Sequence, residues 1–330
     1  MNSEEQVRQL YHEFGQRKQM GVPAPNTRMP HYFLHRTFTG ENDLLIILNT
    51  KRCAYQCHFC QLPAKSTVAW VLAEDILAQF MYVMEEMKHS LSVLDRLTLS
   101  NEGSVLDPDT LPTEALLGIA KCTHELRRVQ TLVLETRLEY LDERVIGQIR
   151  QLAPRVKINI LTGFETHNPG IRDKILFKRE SLGQFQDGLE RVASNHLDLT
   201  AYVLYKPSQT MTDAEAFLEA DRSMEYLIEE CKKRSISLTI RLNPMYAAEG
   251  SRWAQIAKKT PNYSPPRLTD VMRLAETRER DGIRIYIGLS TEGLDDGSNY
   301  QSREDYLPTL LKQVMLFNDK KVSRFQSLES

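Results

Sequence analysis

The stretch Leu44-Leu45-Ile46-Ile47-Leu48-Asn49-Thr50-Lys51-Arg52-Cys53-Ala54-Tyr55-Gln56-Cys57-His58-Phe59-Cys60 runs from an unbroken apolar segment straight into three cysteines. An apolar run this short, bounded by Asn and Thr, suits a strand buried on both faces, as in a parallel sheet covered by helices. The expected strand is 44–49. The cysteines follow it with the spacing C-x3-C-x2-C. Ligands of parallel α/β folds bind at the carboxyl ends of the strands, so this loop belongs at the mouth of such a sheet.

Working outward, similar segments recur at Arg96–Ser100, Thr131–Glu135, Val156–Leu161, Leu199–Tyr205, Ser237–Leu242 and Ile283–Ile287. Between them lie patterns of helical period, such as Leu72, Ile76, Phe80, Met84 and Met87, or Phe217, Met224, Ile228 and Cys231. Ser181 with Gln184 and Thr212 with Glu215 have capping-box spacing, and Pro112 fits the first turn of a helix ending near Arg128. Strands alternating with helix-length crossovers specify an α/β chain, a partial (βα)6 TIM-like open barrel with N- and C-terminal helical extensions. The expected division is 1–42 (a helix over 3–17 and a linker from Met20 to Pro30), 43–290 (the barrel) and 291–330 (a loop and a helix over 306–325).

The 330 residues carry 42 Lys+Arg against 44 Asp+Glu, a net charge of −2, with 41% hydrophobic and 26% charged residues. That composition excludes a disordered, collagenous or disulfide-framework chain. The start has no basic, apolar leader and no apolar run approaches a membrane span, so a cytoplasmic protein with no membrane partner is expected. Near-neutral charge also argues against a general nucleic-acid binder. Of five cysteines three are clustered, while Cys122 and Cys231 stand alone, a pattern for a metal or redox site.

Three thiolates can hold three irons of a [4Fe-4S] cluster and leave the fourth iron open to a substrate or cofactor. A structural zinc site is the alternative. His58 adjoins Cys57, and neighbouring residues rarely reach the same tetrahedral ion, so zinc would need a distant ligand such as His35. Buried core thiols are a third reading, at odds with the polar residues around them.

C-x3-C-x2-C with an aromatic residue before the last cysteine, after strand one of a (βα) domain, resembles the radical S-adenosylmethionine (SAM) superfamily. The resemblance implies that Cys53, Cys57 and Cys60 ligate a catalytic [4Fe-4S] cluster. It also implies that S-adenosyl-L-methionine chelates the open iron and that Phe59 packs near its adenine. Asn101-Glu102-Gly103-Ser104 resembles the loop that receives the methionine amino group. Glu135 resembles the acceptor of the ribose hydroxyls, and Thr162-Gly163-Phe164-Glu165-Thr166 a further SAM-lining motif. Arg179 matches an arginine that pairs with the methionine carboxylate, with Lys178 as its fallback one residue away.

Within the superfamily, Leu134-Glu135-Thr136-Arg137, Tyr140-Leu141-Asp142, Gly163-Phe164-Glu165-Thr166, Ala201-Tyr202-Val203-Leu204-Tyr205-Lys206-Pro207 and Asn243-Pro244 resemble the radical subunit of archaeosine synthase and the Elongator-type branch. The chain departs from them at Gln61-Leu62-Pro63-Ala64-Lys65, shows no accessory RNA-binding domain and has no spare length for a cobalamin domain. The resemblance implies an electron-donating reductase such as flavodoxin or ferredoxin, and reductive breakage of a carbon–sulfur bond of SAM. A small metabolite or natural-product intermediate is the favoured substrate. Tyr202, Tyr205, Lys206, Arg241, Asn243 and Tyr246 are candidates to face it. A tRNA substrate is the alternative and calls for a basic patch from Arg127, Arg128, Lys174, Lys178 and Arg179. A variant chemistry transfers the 3-amino-3-carboxypropyl group of SAM instead.

Overall fold

The computed structural model describes residues 13, 17–20, 26–60, 62, 67–248, 250–289, 292 and 308–325. Of the expected helix over 3–17 only Glu13, which is helical, and Arg17, which begins a strand, are among the described residues, and most of the loop after 290 lies outside them.

Among the described residues one sheet of nine strands follows chain order without a single exchange of neighbours. The strands are β1 (Arg17–Met20), β2 (Tyr32–Phe38), β3 (Glu41–Ile47), β4 (Arg96–Ser100), β5 (Thr131–Glu135), β6 (Lys157–Glu165), β7 (Asp198–Tyr205), β8 (Leu238–Pro244) and β9 (Arg284–Ile287). From β3 to β9 every pairing is parallel, so each strand returns through a crossover that sets a helix on the outer face. The helices are α1 (Ala73–Glu86), α2 (Thr113–Glu125), α3 (Glu143–Leu152), α4 (Leu182–Ser194), α5 (Asp213–Lys233), α6 (Arg252–Ala257), α7 (Leu268–Arg280) and α8 (Pro308–Asn318). The sheet curls into a partial barrel. All seven strands expected from the sequence are present, with β6 running to Glu165 rather than stopping at Leu161.

Side chains alternate across this sheet with opposite chemistry on its two faces. Leu44, Ile46, Leu97, Leu99, Leu132, Leu134, Ile158, Ile160, Leu199 and Ile240 pack outward against the helices in one core. The alternate positions, which include Asp43, Thr98, Asn159, Thr200 and Arg241, point into the barrel, where polar groups pair with each other. Thr98 Oγ1 donates to Asp43 at 2.7 Å and Thr200 Oγ1 to Asn159 Oδ1 at 2.9 Å. Both capping boxes are formed, on α4 and α5, and Pro112 stands immediately before α2.

Two strands replace part of the helix and linker expected over 1–42: β1 pairs antiparallel with β2, and β2 pairs antiparallel with β3 through the two-residue turn Thr39-Gly40. Both turn residues have positive φ, 50° and 87°, the geometry of a type I′ hairpin whose twist matches its strands. Strand β2 was hidden by Arg36, a charged residue where a core residue would be looked for. Arg36 is buried because it pairs with Asp43 (Nε to Oδ2, 2.9 Å) and Glu292 (2.5 Å). The hairpin also reaches the far end of the sheet: Phe38 stacks on Tyr286 of β9 at 4.3 Å between centroids.

The free edge of β9 is covered by α8. Asn318 Oδ1 accepts from Ile287 N (2.9 Å) and its Nδ2 donates to Ile287 O (2.8 Å). One side-chain amide thus takes the place of a further strand, which blunts an edge that would otherwise invite pairing.

Candidate active site

The carboxyl ends of the parallel strands open on a cavity of about 300 Å³. On one side it is lined by the cysteine loop, with Cys53, Cys57, Phe59 and Cys60. Asn101–Gly103 after β4, Glu135–Arg137 after β5, Gly163 and Glu165 on β6, and Lys178 complete that half. Tyr202, Arg241, Asn243, Tyr246 and Gly288 line it as well, with Tyr202 hydrogen-bonded to Glu135.

Local chemistry explains why these segments sit where they do. The loop after β4 is shaped by its own side chains, with Asn101 Oδ1 accepting from Gly103 N at 3.0 Å and Thr110 Oγ1 donating to Ser104 O at 2.9 Å. A Cβ on Gly103 would lie 3.2 Å from the Cβ of Cys53, so only glycine lets this backbone press against the first cysteine without displacing it. Ser104 Oγ accepts from Arg137 N at 3.0 Å, which ties the β4 loop to the β5 loop. Glu102 is buried and pairs with His31.

Arg137 is the hub of the cysteine side. Its guanidinium donates to Lys178 O (3.1 Å), Arg179 O (3.2 Å) and Glu139 Oε1 (3.1 Å), and lies 3.8 Å over the ring of Tyr55. Tyr55 in turn hydrogen-bonds Glu139. One planar fork therefore holds the cysteine loop and the segment after β6 together. A second arginine, Arg172, is almost wholly buried on the single π-helical turn Ile171–Ile175. It donates to Phe164 O, Thr166 O (3.0 Å), Glu180 O (3.1 Å) and Glu180 Oε2 (2.9 Å). Its hold sustains positive φ at Glu165 (71°), Phe177 (54°) and Arg179 (53°), a cluster of strained backbone at a ligand-sized cavity.

Burial dominates the acid–base chemistry. It raises the thiols of Cys53 and Cys57 and pushes Cys60 up to about 12. Lys178 and Arg137 oppose this at Cys57, favouring its thiolate. Burial likewise raises the Glu135 carboxyl, and takes Glu165 to about 7 against the pull of Lys178 and Arg172. Lys178 Nζ stands 3.8 Å from Glu165 and 3.6 Å from Glu180.

Most residues singled out from the sequence meet here, and four placements differ. Ser104 is buried behind the cavity wall, its hydroxyl taken by Arg137 N. Arg179 is exposed, its guanidinium 4.4 Å over Phe177, and the neighbouring Lys178 faces the cavity, because positive φ at both 177 and 179 turns the chain between them. Tyr205 falls on the outer face of β7, and Lys206 is turned away to Asp213 (2.9 Å) and Ser264 (3.0 Å). Tyr202, Arg241, Asn243 and Tyr246 do line the cavity. The basic residues grouped for a tRNA are split: Arg128 pairs with Asp95 at the amino-terminal end of β4, whereas Lys178 and Arg179 follow the carboxyl end of β6. Tyr32 and Glu292 were not foreseen, and nothing local in the sequence marks them. Glu292 accepts from Tyr286 (2.8 Å) and Arg241 (3.1 Å).

The donor set suits a cluster. Among the described residues no three His, Cys, Asp or Glu side chains converge as ligands of a single metal ion. Cys53, Cys57 and Cys60 all line the cavity, and three soft thiols are a donor set that would hold an iron–sulfur cluster. His58 is committed elsewhere, with its Nδ1 3.0 Å from Ile175 O and its ring stacked on Phe177.

No family profile matches the chain. It is 27% identical over 268 residues to an uncharacterized protein of Methanocaldococcus jannaschii, covering 79% of this chain and 71% of that one. It is 22% identical over 231 residues to archaeosine synthase subunit beta of Thermococcus kodakarensis, covering 68% of each. A spore photoproduct lyase with bound AdoMet and dinucleoside spore photoproduct superposes with a TM-score of 0.50 at 13% identity, over 74% of this chain and 76% of that one. The chain spans only 58% of the radical SAM methyltransferase TsrM of Kitasatospora setae, at 10% identity and a TM-score of 0.49 over 85% of its own length. The chain thus shares the fold of the spore photoproduct lyase over about three quarters of its length. By sequence, archaeosine synthase subunit beta is a named relative of this chain. None of the described helices is long and apolar enough to cross a membrane.

Proposed function

We propose that this chain binds a [4Fe-4S] cluster through Cys53, Cys57 and Cys60 and uses it to cleave SAM reductively, acting on a small metabolite or natural-product intermediate. The observation that carries this reading is the meeting of the three thiols with the strand-end groups of β4, β5 and β6 around one cavity. When bound, the cluster and SAM supply an electron and a sulfonium whose carbon–sulfur bond is weak to reduction.

The chain's own residues bind, orient and shield. The 101–104 loop presents its backbone to an ammonium, with Glu102 held beside it by His31. The carboxylate of Glu135, at the end of β5, suits a vicinal diol. Lys178, rather than Arg179, is the cation placed to receive a carboxylate, beside Glu165. Phe59 packs with Trp253, Leu204 and Met245, which gives an adenine an apolar wall and keeps water from it. Arg241, Asn243 and Tyr202, from β7 and β8, also line the cavity and suit a polar end of the substrate. A cavity of about 300 Å³ favours a small substrate.

The test is anaerobic reconstitution with iron and sulfide, then dithionite and SAM, with the nucleoside products separated by chromatography and a Cys57→Ala control. Brown protein releasing 5′-deoxyadenosine supports the reading. Methylthioadenosine would redirect it to aminocarboxypropyl transfer, and colourless, zinc-containing protein with neither product would overturn it.

A further inference from the structure

The turn that carries the last two cysteines is closed by Cys60 N–H donating to Cys57 O at 3.1 Å, with His58 and Phe59 at its two central positions. The peptide groups of His58 are spent on two other segments. Its N–H donates to Leu176 O at 2.8 Å, and its carbonyl accepts from Trp253 N at 2.8 Å. Its ring lies against the first of these segments, with Nδ1 3.0 Å from Ile175 O and the plane stacked on Phe177 at 4.8 Å between centroids. A carbonyl only accepts, so Nδ1 carries a proton. Cys57 and Cys60 thus bracket a residue that is bonded on both sides to parts of the cavity wall.

The first segment is strained. Phe177 and Arg179 have φ of 54° and 53°, and such backbone persists only where its surroundings over-determine it. Arg172 grips this stretch through Glu180, and His58 grips it from the side of the thiols. Between the two strained residues stands Lys178, which lines the cavity with its ammonium 3.8 Å from Glu165.

The second segment is the start of a helix. The first N–H groups of a helix find no carbonyl within it, and at α6 two outside acceptors serve them. Ser251 Oγ takes Ala254 N at 3.1 Å, and His58 O takes Trp253 N. Ser251 N in turn donates to Ala248 O at 3.1 Å, and Ala248, Tyr246 and Met245 line the cavity. Phe59, the other central residue of the turn, packs in one apolar cluster with Trp253 and Met245. Trp253 is fully buried and donates its indole N–H to Pro207 O at 2.9 Å.

We propose that His58 is a positioning residue, which passes the spacing of Cys57 and Cys60 on to Lys178 through its ring and to the cavity-lining segment 245–248 through its carbonyl. The proposal rests on the cluster reading above. While the sulfurs are free, the turn is closed by the bond from Cys60 N to Cys57 O, too little to keep it from opening locally. Holding both sulfurs on one group removes that freedom, and the order is inherited by whatever the central residues grip. The linkage is reciprocal: a ligand that orders Lys178 or 245–248 favours the closed turn by the same factor.

The test is anaerobic hydrogen exchange read by mass spectrometry on the full chain, before and after reconstitution with iron and sulfide, with the iron content of each sample measured. In the parent, loading should slow exchange about tenfold in peptides covering 171–178 and 250–258, while β9, remote from the thiols, stays as it was. His58→Ala should take up the same iron and lose the slowing at 171–178, yet keep it at 250–258, where the bond uses the backbone carbonyl. His58→Gln, whose side-chain amide can still donate to Ile175 O, should restore the slowing at 171–178. Equilibrium dialysis of SAM against loaded protein should show retention about tenfold weaker in His58→Ala and near the parent value in His58→Gln. Full iron uptake with unchanged exchange in the parent would overturn the proposal alone. So would His58→Ala keeping the slowing at 171–178, or speeding exchange equally in β9, which would make His58 an ordinary packing residue. A parent chain that takes up no iron would sink the cluster reading and this proposal with it.

Discussion

Replacing Glu165 by Gln tests how the mouth of the barrel is held together. Glu165 is 5% exposed, sits in the β6 bulge, and is pushed by burial to about 7 although Lys178 and Arg172 pull it down. Unfolding returns the carboxyl to its ordinary value of 4.5. The difference converts to about 3 kcal/mol. Its sign follows from proton counting: between the two values the folded chain keeps a proton that the unfolded chain has lost. Stability therefore falls as pH rises from 4.5 through 7, and the loss is complete above that. Glu165→Gln cannot ionise and keeps the size of the side chain, so its stability relative to the parent should improve by about 3 kcal/mol between the acid and alkaline ends of that window. Urea unfolding of the metal-free protein on both sides of it measures the gap. Lys178→Met, which removes the cation at 3.8 Å, should extend the pH dependence of the parent to higher pH. A parent–Gln gap that stays constant across the window would refute the account of Glu165 as a carboxyl held against burial.

Three further outcomes are expected. Arg172→Lys loses the planar fork that serves Phe164, Thr166 and Glu180 and should cost about 3 kcal/mol or more by urea unfolding. Gly288→Ala would put a Cβ 1.9 Å from Asn243 Oδ1 and 3.1 Å from Arg241 Nε. It should therefore lower product formation at least about tenfold, as a lost buried polar contact does, while substrate-free SAM cleavage persists; equal loss of both would remove Arg241 and Asn243 from the substrate end. Asn318→Leu deletes both bonds to Ile287 and should lower stability by about 1–3 kcal/mol, with faster hydrogen exchange in β9.

How much was legible in advance differed by residue. The cysteine loop, Asn101–Ser104, Glu135 and Glu165 could be read because each stands at a strand's carboxyl end, and strand ends follow from local apolar runs. Lys178 could not be told from Arg179, because the choice depends on positive φ at 177 and 179, which neither residue type announces. Arg137 was legible as a motif member and not as a hub, since its partners lie about forty residues away in Lys178 and Arg179. Lys206 was expected to face the cavity because it follows β7 directly, yet Asp213 and Ser264 draw it outward.

From sequence alone came the parallel strands, their order of appearance, the capped helices and the thiol loop that begins the site. Periodicity, caps and ligand spacing are properties of a few neighbouring residues, and no distant part of the chain has to be known to read them. The tertiary structure alone decided the β2–β3 hairpin, the polar barrel interior shared by Arg36, Asp43, Arg241 and Glu292, and the partners of His58 in the cysteine loop. A charged residue inside a strand is tolerated only if a partner arrives from elsewhere to offset its desolvation. That partner is supplied by the curl of the sheet, which brings β2, β8 and Glu292 together.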